Sequence, residues 1–284
     1  ESQGVPVTQE SITRDNVVSA LKSRKLHPSV PEVVVAIIHI TRSNSSSLGD
    51  LVRVIEQDPI LTNRILNIAN SGFYGLDRKV QKIADAVVLM GWNNIKMISL
   101  GSTIMKVISN RDMRVFSHSV KTAQIARYLS TEAKFYKVEE ISVVGLLHDI
   151  GQIILQAYFG DSFLKAKQYA VDHGVPMHIA EKEVLGVDHA EVGGWTIEEW
   201  MLPDNIIESV ARHHDYDPSS YHARKTAVIH VADSFALISD FYGPTWEKVP
   251  EINVLAFKTL GFSAEEIKKH ASVSFKLNFE PMIM

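Results

Sequence analysis

The run VVGLLHDIGQIIL, residues 143–155, sets His148 and Asp149 side by side in the middle of an apolar segment. A carboxylate and an imidazole are costly to bury unless they are hydrogen-bonded, paired with a charge or coordinated to a metal. Any fold of this chain must therefore bring partners to residues 148 and 149 from elsewhere in the sequence. Histidine is the residue type placed to supply them. The chain has 12 histidines, and ten lie at or beyond His118. Histidines scattered over a solvated surface would not segregate in this way.

The rest of the chain reads as a succession of helices. Apolar positions recur at helical spacing in NVVSALKS. The prolines of LHPSVPE mark a turn or extended link, and Pro31 opens the next helix, VVVAIIHIT. Ser47 is placed to cap a helix over LGDLVRVIEQ. Asp58-Pro59 reads as N-cap and first helical residue of PILTNRILNIA. SGFYGL closes that helix, and KIADAVVLMGW and NNIKMISLGSTIMKVI continue the pattern. After Phe116 come HSVKTAQIARYLSTEA, EEISVVGLLHDIGQIILQAYF, SFLKAKQYAVDH and PMHIAEKEVLG. DHAEVGGWTIEEWM follows with Asp188 as cap, then LPDNIIESVARHH with Asp204 as a cap option and the strongly apolar KTAVIHVADSFALISDFY. The last forty residues read as one shorter helix, SAEEIKKHA, and a tail. The expectation is an all-α protein in two lobes, a two-lobed helical bundle divided roughly into 1–110 and 111–284.

Candidate ligands collect in the second lobe: His118, His148, Asp149, His189, His213, His214 and Asp233. Apart from the two adjacent pairs, each sits in or at the end of a different helix, and helical bundles build metal sites from facing helices in this way. Imidazole plus carboxylate without sulfur suits Fe, Mn or Zn better than Ca or Mg alone. Adjacent residues on a helix point about 100° apart. His148 and Asp149 can both reach inward only where a helix ends, and Gly151 is placed to end or bend this one. Asp233 lies four residues after Ile229 and three before Ala236, on one helical face. His213 follows Val210 by three and Ile206 by seven; His214 follows Val210 by four and Ile207 by seven.

Each residue alone has a plainer account. A single histidine on an apolar face is usually a satisfied core residue. Asp233 is also served by a backbone N–H or by His230, the pair 213–214 by a helix C-terminus, and Asp149 by local capping. The joint pattern is the more specific signal. His173, His178, His222, His230 and His270 are assigned to the surface or to supporting positions.

In order and context, His118, the His148-Asp149 pair and Asp233 resemble the HD superfamily of metal-dependent phosphohydrolases. His189 and His213-His214 resemble the further ligands of its dinuclear branch, which includes the HD-GYP phosphodiesterases. The fuller match, over roughly residues 18–240, is to the HDOD family, a signalling relative. It rests on LHPSVPEVVVAII (26–38), DPILTNRILNIANSGFYG (58–75), AVVLMGWNNIK (86–96), GLLHDIGQIIL (145–155), VLGVDHAEVGGWTIEEWMLPDNI (184–206) and ARHHD (211–215). The first lobe weighs most, because simple HD hydrolases lack it.

The resemblance implies a bacterial signal-transduction or output module with an HD-like helical core, one or two divalent transition metals, and a protein partner or upstream regulatory domain. The first residue, Glu1 rather than Met, fits something upstream. The alternative it implies is an active metal-dependent phosphohydrolase acting on a phosphate ester or nucleotide, with Asp149 as the bridging ligand or the residue that orients the attacking water. Two departures favour the module. Gln152 stands where a lysine commonly follows the His-Asp-x-Gly motif, removing a cation able to neutralise phosphate. The Gly-Tyr-Pro element expected after the His pair is missing from HHDYDPSSYHARK. Lys121, Arg127 and Arg212 lie near the motifs in sequence. There is no P-loop, and Gly193-Gly194 is expected to permit close helix packing.

Composition excludes other classes. A net charge of -4 leaves no broad basic surface for nucleic acid. The chain has no cysteine, hence no disulfide framework and no thiolate site. Uninterrupted apolar runs are shorter than a membrane span and residues 1–25 lack a signal-peptide core, so a cytoplasmic location is expected.

Overall fold

The computed structural model describes residues 14–22, 36, 40, 47–70, 79–91, 95, 113–136, 138–200, 202–240 and 252–276. Among them all regular structure is helical, with no strand. The sequence expectations for 26–35, 71–78 and 101–112, including the lobe boundary near 110, lie outside the described residues.

In chain order the helices are α1 (Arg14–Lys22), α2 (Leu48–Glu56), α3 (Pro59–Ala69), α4 (83–91), α5 (Met113–Glu132), α6 (Val138–Leu147) and α7 (Ile150–Tyr158). They continue as α8 (Gly160–His173), α9 (Met177–Leu185), α10 (His189–Glu199), α11 (Asp204–Ala211), α12 (Ala223–Asp240), α13 (Val254–Leu260) and α14 (Ala264–Lys276).

Their starts follow local chemistry. Ser47 accepts from the Asp50 N–H while Asp50 accepts from the Ser47 N–H, a reciprocal cap that opens α2. Asp58 accepts the Leu61 N–H at 3.1 Å ahead of Pro59. Asp188 and Glu191 form the same kind of box at α10. At α11 the expected cap does not form: Pro203 is the N-cap and Asp204 is already helical. The C-terminal segment holds one helix more than expected. Asn253 caps α13 by accepting the Leu255 N–H at 3.0 Å.

Two apolar cores form. One gathers Leu51, Ile55, Ile65, Ile83, Val87 and Ile95 from α2–α4 and the residues around them. The larger takes residues from α5 to α13 together with Val17 of α1. Within it α5 lies along α6 and α12, α10 lies along α7 and α11, and α13 and α14 pack on α12. By length and composition the stretch Glu140–Tyr158 is apolar enough to cross a membrane, yet 76% of that window is buried inside the fold. It is also broken, and the break is where the site begins.

Candidate metal centre

The helical run over residues 139–159, expected to end or bend at Gly151, is two helices. α6 ends at Leu147, His148 and Asp149 form a turn, and α7 starts at Ile150. The interruption comes before Gly151, not at it, and it lets both side chains face inward: His148 is 0% exposed and Asp149 4%. Gly151 sits in the first turn of α7 for a different reason. A Cβ there would lie 1.9 Å from the His189 carbonyl oxygen and 2.8 Å from the Gly193 nitrogen. Only glycine lets α7 approach α10 this closely. Gly194 does the same for α11, where a Cβ would come 2.6 Å from that of Ala211.

His118 projects from the second turn of α5, His189 is the first residue of α10, and Asp233 is central in α12. His213 and His214 follow the end of α11, which stops at Ala211 rather than running through the pair. All seven residues named from the sequence converge. His118 Nε2 lies 2.9 Å from Asp233 Oδ1 and 3.2 Å from His148 Nε2. His189 Nε2 lies 2.9 Å from His214 Nε2. Asp149 stands between these groups. Its Oδ2 is 3.4 Å from His148 Nε2 and 3.6 Å from His118 Nε2; its Oδ1 is 3.2 Å from His189 Nε2 and 3.9 Å from His213 Nε2. His214 Nδ1 is 3.8 Å from Asp233 Oδ2.

Supporting bonds fix which ring nitrogens face the centre. His148 Nδ1 donates to the Gly145 carbonyl at 2.8 Å, and His213 Nδ1 to the Val210 carbonyl at 2.7 Å. A carbonyl only accepts, so in the neutral rings the Nε2 lone pairs point inward. His189 Nδ1 donates to Glu181 Oε2 at 2.6 Å, and the same oxygen accepts the His189 N–H at 2.8 Å. That carboxylate–imidazole arrangement is how proteins orient a metal-binding histidine.

Sequence reasoning missed Glu181. Its signal was present: Met177, Glu181 and Leu185 fall four apart on one helical face, and an acid on that stripe required a partner. His230 was assigned to the surface or a supporting position; it is buried, and its Nδ1 lies 2.7 Å from the His213 carbonyl. His178 stacks on His214 with ring centroids 4.2 Å apart. His173 is exposed and His222 half-buried, whereas His270 is buried against Tyr128.

The electrostatics follow. Burial pushes the Asp149 carboxyl up, but the imidazoles of His148, His189 and His118 outweigh it and hold it below the usual carboxylate range. At Asp233 burial again pushes the carboxyl up, and hydrogen bonds from His118 and His148 overcome that and hold it well below the usual carboxylate range. His213 is pushed down to about 3 by burial and by neighbouring His148 and His189. His214 is lowered by burial, His213 and His189. His189 moves the other way: burial lowers it, and Glu181 and Asp149 more than reverse that.

Two buried nitrogens, His213 Nε2 and His214 Nδ1, have no hydrogen-bond partner. Leaving such atoms unpaired costs free energy that a cation held among them would recover. Three ligand groups are close enough to share an ion: His118/His148/Asp233, His148/Asp149/His213 and His189/His213/His214. The donor set therefore fits a borderline divalent metal.

A cavity of about 280 Å³ reaches His214 from the surface between α9, α10 and α11. Its wall carries Asp188, Glu191, Glu198 and Asp215 against Lys182 and Arg212. Lys182 is engaged with Asp188 at 3.0 Å, and Arg212 lies 3.8 Å from Asp217. Neither Lys121 nor Arg127 lines this cavity.

The model of the HDOD domain matches residues 27–216. The chain belongs to the HDOD family. An HDOD domain protein of unknown function from Geobacter sulfurreducens superposes with a TM-score of 0.76 at 21% identity, covering 94% of this chain and 98% of its own. A candidate phosphohydrolase from Shewanella amazonensis gives 0.73 at 19%, covering 94% and 95%. A candidate signal transduction protein from Marinobacter aquaeolei gives 0.76 at 20%, covering 92% and 62%. These likenesses establish the HDOD fold. In sequence the HDOD chain is 23% identical over 237 residues to an uncharacterised Treponema pallidum protein, spanning 81% of this chain but only 45% of that relative.

Proposed function

We propose that this HDOD chain is a bacterial, cytoplasmic signal-transduction module that binds one or two divalent transition metals, Fe, Mn or Zn, and acts through a protein partner or an upstream regulatory domain. The observation that carries the metal is the placement of Asp149. Its two oxygens face two different histidine groups, and His213 Nε2 and His214 Nδ1 are buried beside them without a hydrogen bond. In this reading His118, His148, Asp149 and Asp233 hold one ion. His189, His213 and His214, with Asp149 shared, hold the other. Glu181 keeps His189 turned toward it.

The alternative is a metal-dependent phosphohydrolase, favoured by the completeness of the seven-residue set. Bound metal would supply Lewis acidity and lower the pKa of a water. Asp149 would bridge or orient that water, and the histidines would ligate the metal or neutralise charge. Three features place the signalling module first. Gln152 replaces the lysine, the Gly-Tyr-Pro element is missing, and the cavity reaching His214 carries four carboxylates against two cations. An acidic mouth disfavours entry of an anionic ester.

Elemental analysis of the purified chain, followed by a phosphoester panel with added Fe, Mn or Zn, separates the readings. The signalling reading expects bound metal and no turnover. Metal-dependent hydrolysis that vanishes in Asp149→Ala replaces it with the enzyme. No metal and no affinity for added ions defeats both.

A further inference from the structure

His213 and His214 lie past the end of α11, outside any helix, so something other than a helical backbone must fix their positions. The supports come from beyond residue 216, where the family match ends. His230 is 3% exposed on α12 and lies one turn before Asp233 on the same face. The backbone N–H of Asn253 reaches His230 Nε2 at 2.9 Å. A backbone amide can only donate, so Nε2 carries the lone pair and Nδ1 the proton. Nδ1 then donates to the His213 carbonyl at 2.7 Å. Both ring nitrogens are thereby committed, and the tautomer is set by the chain itself.

A second tie runs parallel. Tyr216, two residues past His214, is buried and stacks on His230 with ring centroids 5.9 Å apart. Its hydroxyl donates to Thr259 Oγ1 on α13 at 2.6 Å. Asn253 and Thr259 stand at the start and near the end of α13, so one short helix grips the 213–216 segment at two points. Inside the segment, the Val210 carbonyl orients the His213 ring. His230 sets the height of its backbone.

We infer that His230 is a positioning residue through which α13 holds the His213–His214 half of the metal centre, and holds it more directly than the His118/His148/Asp233 half. The inference rests on the metal-binding reading above. Displacing α13 would loosen that half of the centre first, which gives the C-terminal helices a way to tune metal occupancy from outside the ligand set.

The test is a Co²⁺ titration of the full chain followed by visible absorption and calorimetry, with thermal melts alongside. Wild type is expected to take two equivalents. His230→Leu, which can neither donate nor accept, should weaken one equivalent about 10–100-fold, the range for losing such a supporting partner. The other equivalent should be weakened clearly less, the residual effect passing through the shared Asp149. His230→Gln keeps one donor and one acceptor and should recover part of the loss. Two intact equivalents in folded His230→Leu, or both weakened together in step with the melting temperature, would overturn the inference. If His230→Leu does not fold, Tyr216→Phe and His230→Gln decide it: one equivalent weakened supports the inference, and neither weakened ends it. No Co²⁺ uptake by wild type is a separate outcome that defeats the metal-binding reading itself, and this inference with it.

Discussion

Gly151→Ala adds one methyl group at the closest backbone approach beside the site. Its Cβ would stand 1.9 Å from the His189 carbonyl oxygen, whereas real Cβ contacts do not fall below 3.0 Å. Roughly an ångström must open between α7 and α10, and backbone on both sides leaves no flexible side chain to yield. Overpacking of this kind costs about 1–3 kcal/mol, and a backbone clash belongs at the upper end. Alanine's better helix propensity returns up to about 1 kcal/mol. The net expectation is a loss of about 2 kcal/mol, or roughly 4–8 °C in melting temperature for a chain of this size. The same ångström separates Asp149, one residue before the α7 start, from His189, now 3.2 Å away. Ligand sets tolerate about 0.5 Å, so metal affinity should fall at least tenfold. Urea denaturation of the metal-free protein and competition with a chromophoric chelator measure the two effects. Gly160→Ala is the control: a Cβ at that first residue of α8 meets nothing within 4 Å, so stability should hold or rise slightly. Gly151→Ala with wild-type stability and wild-type affinity would refute the claim that α7–α10 contact sets the site.

Other expectations are checked more simply. Glu181→Gln removes the charge that orients His189 and should weaken metal binding about 10–100-fold while the chain stays folded, read by chelator competition and circular dichroism. Asp188→Ala removes the α10 cap and should cost about 1 kcal/mol; Ser47→Ala should cost a similar amount at α2 without changing metal affinity. In the metal-free protein, His213, at about 3, binds its proton less readily than an ordinary imidazole at 6.5, and His214 and His178 are also depressed. Their unfolded forms take up protons first, so their contribution is complete above pH 6.5 and is lost as pH falls toward 3. His189 is raised and contributes the opposite slope, present below 6.5 and lost as pH rises through its folded value. Three depressed rings against one raised predict a urea midpoint that drops on acidification below pH 6.5; a flat or rising midpoint would show that these rings are not buried neutral.

The helical class and the seven candidate ligands were legible because the signals are local. Caps such as Ser47, Asp58 and Asp188 announce helix starts, and an acid such as Asp233 in an apolar stripe announces a buried partner. What was not legible depends on distance. An ending or bend near Gly151 was readable, but its place at 148–149, ahead of the glycine, is not marked in the periodicity of residues 139–159. Gly151 looked like a helix end, but its role is set by the carbonyl of His189, 38 positions away. Glu181 and His230 are identified by what they touch, and neither stands in a distinctive motif. Helix α13 was readable from its Asn253 cap and Gly261 end, and was overlooked because seven residues carry little periodicity.

The central claim is that Asp149 lies between two groups of ligands that hold metal. Anomalous diffraction from crystals grown with Mn²⁺ and measured at the manganese edge tests it most directly. The account predicts anomalous density beside the Asp149 carboxylate, flanked by His118 and His148 on one side or by His189, His213 and His214 on the other, and no such density in Asp149→Ala. Well-ordered wild-type crystals with no anomalous density among these seven residues would contradict it.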